Sequence, residues 1–350
     1  MKHSMLADGA YLYGKPEITG DLRSELQDFV VKELLPFEPS GEGEHLLIKI
    51  RKADANTVMV ARQLAKYFGV KDALVSYAGL KDRFAVTEQW FGIHLPGKQS
   101  YDLSSFTLPG VDILSYQRHH KKLRIGSLSG NHFTITLRNV SDVDALHRRW
   151  HGVTQHGVPN YFGEQRFGRD GGNIDRAKAL FAGQKVKDKK KRSIYLSAAR
   201  SLVFNQIIST RLEQQLFEQL QVGDVLMLAG SQSVFVLDKL SDDIKQRFVE
   251  KDLDITASMW GAGQLMTQEQ PQALEQAVAE QYADICQGLA KFGLKQERRR
   301  IRLSITDAKI DIDAKQQMVT LHFSLPAGCF ATSVLRELLD YRDLSLTRFD

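Results

Sequence analysis

Between residues 28 and 138 the chain is dominated by short runs in which apolar and polar positions alternate, the period of a strand with one buried face. Residues 28–33 and 45–50 read as two such strands, separated by the turn-forming stretch 39–43. Asn56 is placed to cap a helix that carries Val60, Leu64, Ala65 and Phe68 on one face and ends at Gly69. A strand then runs into Asp82, and others are expected over about 85–95 and 111–116. Phe133, Ile135 and Leu137 alternate with Thr134, Thr136 and Arg138. From about Gly157 to Thr306 the period changes. Helical spacing is expected over 195–220 and 272–292, with shorter helices around 175–182 and 242–251, and with brief strands near Val225 and Val234. The strand pattern returns at 318–325 and is followed by a helix from Phe330 to about Asp340. The simplest organisation is an α+β protein. A sheet with a few helices is formed by residues 1–156 and 306–350, and is interrupted by an inserted domain over 157–305.

Composition agrees with two ordinary cores, since 43% of the 350 residues are hydrophobic. No stretch approaches a membrane span, and the N-terminus, with Lys2 and His3, lacks an apolar core of signal length. A soluble cytoplasmic protein is expected. Its two cysteines, Cys286 and Cys329, are far apart and have no metal spacing, and the histidines form no metal-binding pattern. No metal is therefore expected. The net charge of +5 is compatible with a polyanionic partner without demanding one. The placement of the charge says more. Residues 118–124 hold four cations and no acid, residues 185–192 hold six cations and one acid, and Arg298, Arg299, Arg300 and Arg302 crowd a third run. Each run taken singly reads more often as a solvated loop or helix end; three in one chain shift the reading toward contacts with nucleic-acid phosphates, where cations gain from counterion release.

The chemistry concentrates at Gly79-Leu80-Lys81-Asp82-Arg83, a charged turn between two strands. Cations within reach of a carboxylate favour its ionised form, and an ionised carboxylate on a shaped turn is a candidate nucleophile. On spacing alone the same triplet also reads as a solvated turn. The surrounding segment, Ala78 to Gln89, resembles the signature of the TruD family of tRNA pseudouridine synthases. Three other stretches resemble the same family in the same order: Gly130-Asn131-His132-Phe133, residues 160–168 (Asn-Tyr-Phe-Gly-Glu-Gln-Arg-Phe-Gly), and residues 325–332 (Leu-Pro-Ala-Gly-Cys-Phe-Ala-Thr). The likeness extends from about Phe29 to about Glu337.

That resemblance implies an α+β fold, a pseudouridine-synthase-type mixed, largely antiparallel sheet with helices, interrupted by an inserted α/β TRUD domain. It also implies an enzyme that isomerises uridine to pseudouridine in tRNA, at position 13 of the D arm, by flipping the target base out of its stack. Asp82 is then the catalytic residue, and Phe29, Asn131, Phe133 and Phe330 lie near the substrate. Lys81, Arg83, Asn160 and Arg166 are candidate supporting or RNA contacts. Arg166 is open to two roles, binding phosphate or pairing with Asp82. Asp82 itself is open to three: attack on the sugar, attack on the base, or removal of a proton. Phe29, Phe133 and Phe330 equally fit a core, where most such residues belong. Asn131 carries both a donor and an acceptor for the edge of uracil. His132 is bulky for its place in the motif. The reaction is an isomerisation, so no cofactor is expected; the expected partner is tRNA, with no membrane, no obligatory protein partner and a monomeric chain. A non-catalytic RNA-binding or assembly factor of the same fold is the alternative. A methyltransferase using S-adenosylmethionine is disfavoured by the lack of a glycine-rich loop between strand and helix.

Overall fold

The structure, a computed structural model, describes residues 9–97 and 99–346. Lys2 and His3, on which part of the reading of the N-terminus rests, lie outside the described residues. The chain divides into two compact units. One is built from residues 16–155 and 305–331 with the segment from Leu338 onward; the other from residues 9–15, 156–304 and 332–337.

The first unit is organised by a ten-stranded mixed sheet. Its early strands are β1 (Thr19–Leu22), β2 (Phe29–Leu34), β3 (His45–Ala53), β4 (Val75–Tyr77), β5 (Val86–His94), β6 (Val111–His119) and β7 (Gly130–Arg138). The strands Thr306–Asp313 and Met318–Pro326 extend the sheet beyond β7, and Asp340–Asp343 pairs with β1. Most pairings are antiparallel, while β2 with β5 and β1 with Asp340–Asp343 are parallel. Register decides which side chains meet, because cross-strand partners point to the same side of a sheet. Val31 is paired with both Thr87 and Phe133, Thr87 with Lys52, Glu33 with Asn131, and Phe133 with Phe323. Phe29, Val31, Glu33, Lys52, Thr87, Asn131, Phe133 and Phe323 therefore share one face.

Two helices cover parts of that face. α1 (Thr57–Tyr67) starts where expected, with the Asn56 side chain accepting from Val58 N at 2.8 Å. It lays Val60, Ala61, Leu64 and Ala65 on Leu46, Ile48, Ile50 and Phe91 in the main core cluster. α2 (Val143–His156) buries Leu146, Trp150 and Val153, and Trp150 meets Phe323 edge-on at 5.9 Å between ring centroids. The alternation of β7 had been expected to end the sheet-rich segment, and α2 was missed there. Its signal is present in the sequence: Leu146, Trp150 and Val153 are spaced four and three apart, and Asp142 Oδ1 accepts from Ala145 N at 2.8 Å.

The second unit carries the long helix Lys189–Glu213, which starts and ends earlier than the expected 195–220. The expected helix over 272–292 is two helices, Glu269–Gln281 and Ala283–Lys291, because Tyr282 leaves helical geometry at φ −118° and ψ 36°. Val225–Leu228 and Val234–Val236 form the expected hairpin. Leu253–Met259 pairs with Val225–Leu228 on one side and with Glu297–Arg300 on the other, two strands that periodicity did not single out. No helix among the described residues is long and apolar enough to cross a membrane.

Candidate active site

Asp82 sits on the turn between β4 and β5, as its flanking pattern predicts, and the turn is braced at three consecutive residues. Lys81 N donates to Thr57 Oγ1 at 3.2 Å, and its ammonium lies 2.8 Å from Glu33 Oε1, with only 10% and 0% of the two side chains exposed. The carbonyl oxygen of Asp82 accepts from Lys52 Nζ at 2.9 Å. Arg83 reaches outward to Asp54 Oδ1 at 2.8 Å, while its carbonyl accepts from Ala85 N at 2.9 Å. The two cations adjacent in sequence thus make ion pairs with Glu33 and Asp54. Arg23 lies on the Asp82 carboxylate, at 2.9 Å from Oδ2.

Arg23 is itself held on three sides. Its Nη1 donates to Asp343 Oδ2 at 2.6 Å, and its guanidinium lies over the Phe29 ring, 4.1 Å from the centroid. Its backbone has φ +58°, a left-handed conformation that a non-glycine residue adopts at some cost. Only 7% of the Arg23 side chain is exposed, whereas 38% of Asp82 is. The pair is anchored on one side and open to solvent on the other.

Burial perturbs the groups beneath the turn. Lys52 is fully buried, which pushes its ammonium down to about 8 even though Asp82 and Glu33 lie nearby. Desolvation raises Glu33, against the lowering effects of Lys81, the amide of Trp90 and Lys52. Burying a lone cation costs several kcal/mol or more. A lysine that donates to the Asp82 carbonyl offsets part of that cost only when the turn keeps its place, so Lys52 and the turn fix each other.

The register brings most of the candidates together. Phe29 backs Arg23 and meets Phe133 edge-on at 6.3 Å, and Phe133 stacks on Phe323 at 5.4 Å. Phe29 and Phe133 are 3% and 7% exposed and therefore belong to the core that supports the site. Asn131 is paired with Glu33 across the ladder, and its Oδ1 is buried with no hydrogen-bond partner among the described residues. His132, bulky for the motif, points to the other face and bonds Ser324 Oγ through Nδ1 at 2.9 Å. Phe330 is half-buried and follows the end of the strand Met318–Pro326, whose Leu325 and Pro326 pair with Asn131 and Gly130.

Asn160 and Arg166 belong to the second unit. Asn160 is buried, accepts from Arg299 Nη2 at 2.8 Å and donates to Arg300 O at 2.9 Å. Arg166 donates to Ser197 Oγ at 3.1 Å, and its guanidinium stands 5.3 Å from the Phe162 centroid. Burial and the neighbouring Arg299 lower its proton affinity.

Three residues of the Asp82 corner were missed by sequence reasoning. Lys52 carried a signal: it continues the buried phase of Leu46, Ile48 and Ile50, where a lysine is out of character. Arg23 and Asp343 carried none, being 320 residues apart in the chain and joined only by the pairing of β1 with Asp340–Asp343.

The sheet unit and the second unit, with its helices and short strands, make a mixed α+β fold. It is shared with a crystal structure from Methanosarcina mazei described as tRNA pseudouridine synthase D (TruD), at a TM-score of 0.72 and 22% identity over 94% of this chain and 95% of that one. The family model for tRNA pseudouridine synthase D (TruD) matches residues 6–176 and 175–338. Proteins named tRNA pseudouridine synthase D from Colwellia psychrerythraea and Aeromonas salmonicida are 60% and 50% identical to this chain. These matches cover 99% and 96% of this chain, and 96% and 95% of the relatives. The chain belongs to the TruD family of tRNA pseudouridine synthases.

Proposed function

We propose that this protein isomerises uridine to pseudouridine in tRNA, at position 13 of the D arm, with Asp82 as the reacting carboxylate. The observation that supports this reading is the pair formed by Asp82 and Arg23, buried on the arginine side and open on the carboxylate side. The reaction breaks the bond between ribose C1′ and N1, turns the uracil over and joins C1′ to C5. The proton lost from C5 is balanced by one gained at N1, so substrate and product are isomers. No redox equivalent or group donor is consumed, and the chemistry asks for no cofactor.

Arg23 fixes the position of the Asp82 carboxylate and neutralises it against the apolar Phe29 ring. Lys52 holds the carbonyl of the same residue, so side chain and backbone are set independently. The carboxylate is then presented to C1′ and C2′ of a flipped nucleotide, whether it attacks the sugar, attacks the base or removes a proton. Asn131 Oδ1 supplies an acceptor for the N3–H of uracil. Phe330 supplies an apolar surface for the unstacked base, and such stacking recovers roughly 1 to 3 kcal/mol of the flipping cost. Phe29 and Phe133 support this pocket from below. The enzyme acts as a cytoplasmic monomer with tRNA as its only required partner.

The test is site-resolved pseudouridine mapping on unmodified tRNA transcripts incubated with the purified protein, with no cofactor or metal added. Product at one D-arm uridine is the expected result. Tight binding without product on any transcript would replace the isomerase reading with that of an RNA-binding or assembly factor.

A further inference from the structure

At the end of β3 remote from Lys52, the sheet unit holds an open cavity of about 670 Å³ lined by Phe37, His45, His120, Lys121, Lys122 and Arg124, with Ser127. His45 and Lys52 are seven positions apart on one strand, which places the cavity roughly 23 Å along the sheet from the Asp82 turn. The cations come from the run 118–124, but the run divides. Arg118 is spent on the fold, donating to the carbonyls of Gly43, Leu95 and Gln99, and His119 is buried against the Phe37 ring at 4.5 Å. Lys121, Lys122 and Arg124 are exposed, and no carboxylate among the described residues forms an ion pair with any of them. Glu42 and Glu44, on the preceding segment, face His120 at 3.5 Å and His94 at 3.4 Å. Burial, His94 and Lys122 hold His45 below the usual imidazole range, and the permanent cations here are the two lysines and the arginine.

Three uncompensated cations around one concavity repel each other, an arrangement that an anion relieves. Arg124 adds a planar fork suited to phosphate oxygens, and Phe37 gives the cavity an apolar wall. We propose that this cavity is a second RNA-binding site, which grips the sugar-phosphate backbone of the tRNA away from the reacting nucleotide. The proposal rests on the assignment of tRNA as substrate. It explains why part of a basic run with no role in the catalytic corner stays unpaired on the same sheet. A contact of this kind sets affinity and register without touching the chemistry.

The experiment compares the full chain with its Lys121→Ala, Lys122→Ala, Arg124→Ala triple variant, and with a Lys121→Arg, Lys122→Arg variant that keeps the charge. Transcript binding is measured by fluorescence anisotropy across a salt series, and pseudouridine formation by KM and kcat. The triple variant is expected to raise KM about tenfold, keep kcat within twofold and flatten the slope of log K against log salt by about 2 units, while the arginine variant behaves as wild type. An unchanged KM and slope, or a fall in kcat alone, would overturn the proposal. Wild-type protein that forms no pseudouridine, yet loses transcript affinity in the triple variant, would sink the isomerase reading and leave this site standing.

Discussion

The corner at Asp82 and the arginine strand of the second unit use the same ion-pair chemistry to opposite ends. In the strand Glu297–Arg300, Arg298 pairs with Glu275 at 2.9 Å with 4% of each side chain exposed, and also donates to the Thr256 hydroxyl and carbonyl. Arg300 donates to the carbonyls of Leu228 and Ser231 and faces Asp254, while Arg302 reaches Glu218, Asp254 and the carbonyl of His156. Arg299 lies 4.3 Å from the Phe162 ring centroid and donates to Asn160. The sequence had suggested phosphate contacts for this run. The structure corrects that reading for Arg298, Arg300 and Arg302, whose donors are committed to carboxylates and carbonyls of their own unit. At Asp82 the anchoring arginine is nearly as buried, at 7% exposed, but 38% of the aspartate side chain is exposed. A charge pair buried on both sides holds a fold together, and the proposed role of Asp82 rests on the exposure of its carboxylate side.

The sharpest way to break this contrast is Asp82→Asn. It removes the charge while keeping the shape, and turnover on tRNA is expected to fall by about 10⁴-fold or more, with transcript affinity within a few-fold. Single-turnover pseudouridine assays and filter binding separate the two, and loss of both together would make Asp82 structural, like Arg298. The reciprocal change, Arg298→Met, strands Glu275 in the interior and is expected to cost about 3 to 5 kcal/mol in urea denaturation. A loss under about 1 kcal/mol would remove the distinction between the two regions.

Lys52 sharpens the comparison through pH. Its folded value of about 8 lies below its unfolded value, so the unfolded chain holds the proton more tightly. The penalty for burying the cation is present in full below pH 8 and is relieved as pH rises above it. Wild-type stability is therefore expected to gain on Lys52→Met between about pH 8 and 10, by at most about 1.4 kcal/mol per pH unit. Parallel stability curves for the two proteins over that range would show that Lys52 is not a buried cation. The smallest effect is expected at Lys189, Lys190 and Lys191, which form the exposed first turn of the helix Lys189–Glu213 over its Asp188 cap. Replacing all three with alanine should flatten the salt dependence of tRNA binding by about 1 to 2 units and leave kcat unchanged.

The outcomes at particular residues show how far the sequence reached. Period-two alternation located β2, β3, β5 and β7, the Asn56 cap located α1, and the charged triplet located the turn at Asp82. Resemblance to the TruD family singled out Asn131, Phe133 and Phe330. The Lys-Asp-Arg triplet places two cations beside the aspartate in sequence, and the structure adds an ion pair of Lys81 with Glu33 and one of Arg83 with Asp54.

What the sequence determined by itself is local: the periods of strands and helices, the caps and turns, and the family to which the motifs belong. These follow from interactions between residues a few positions apart, and a single chain records them directly. The tertiary structure alone decided which cation meets Asp82, which basic run is closed and which stays open. Arg23 reaches Asp82 and Asp343 because strand pairing brings residues from both ends of the chain side by side. Burial is likewise a property of packing. An arginine reads the same in the sequence whether a carboxylate waits inside the fold or a phosphate arrives from outside.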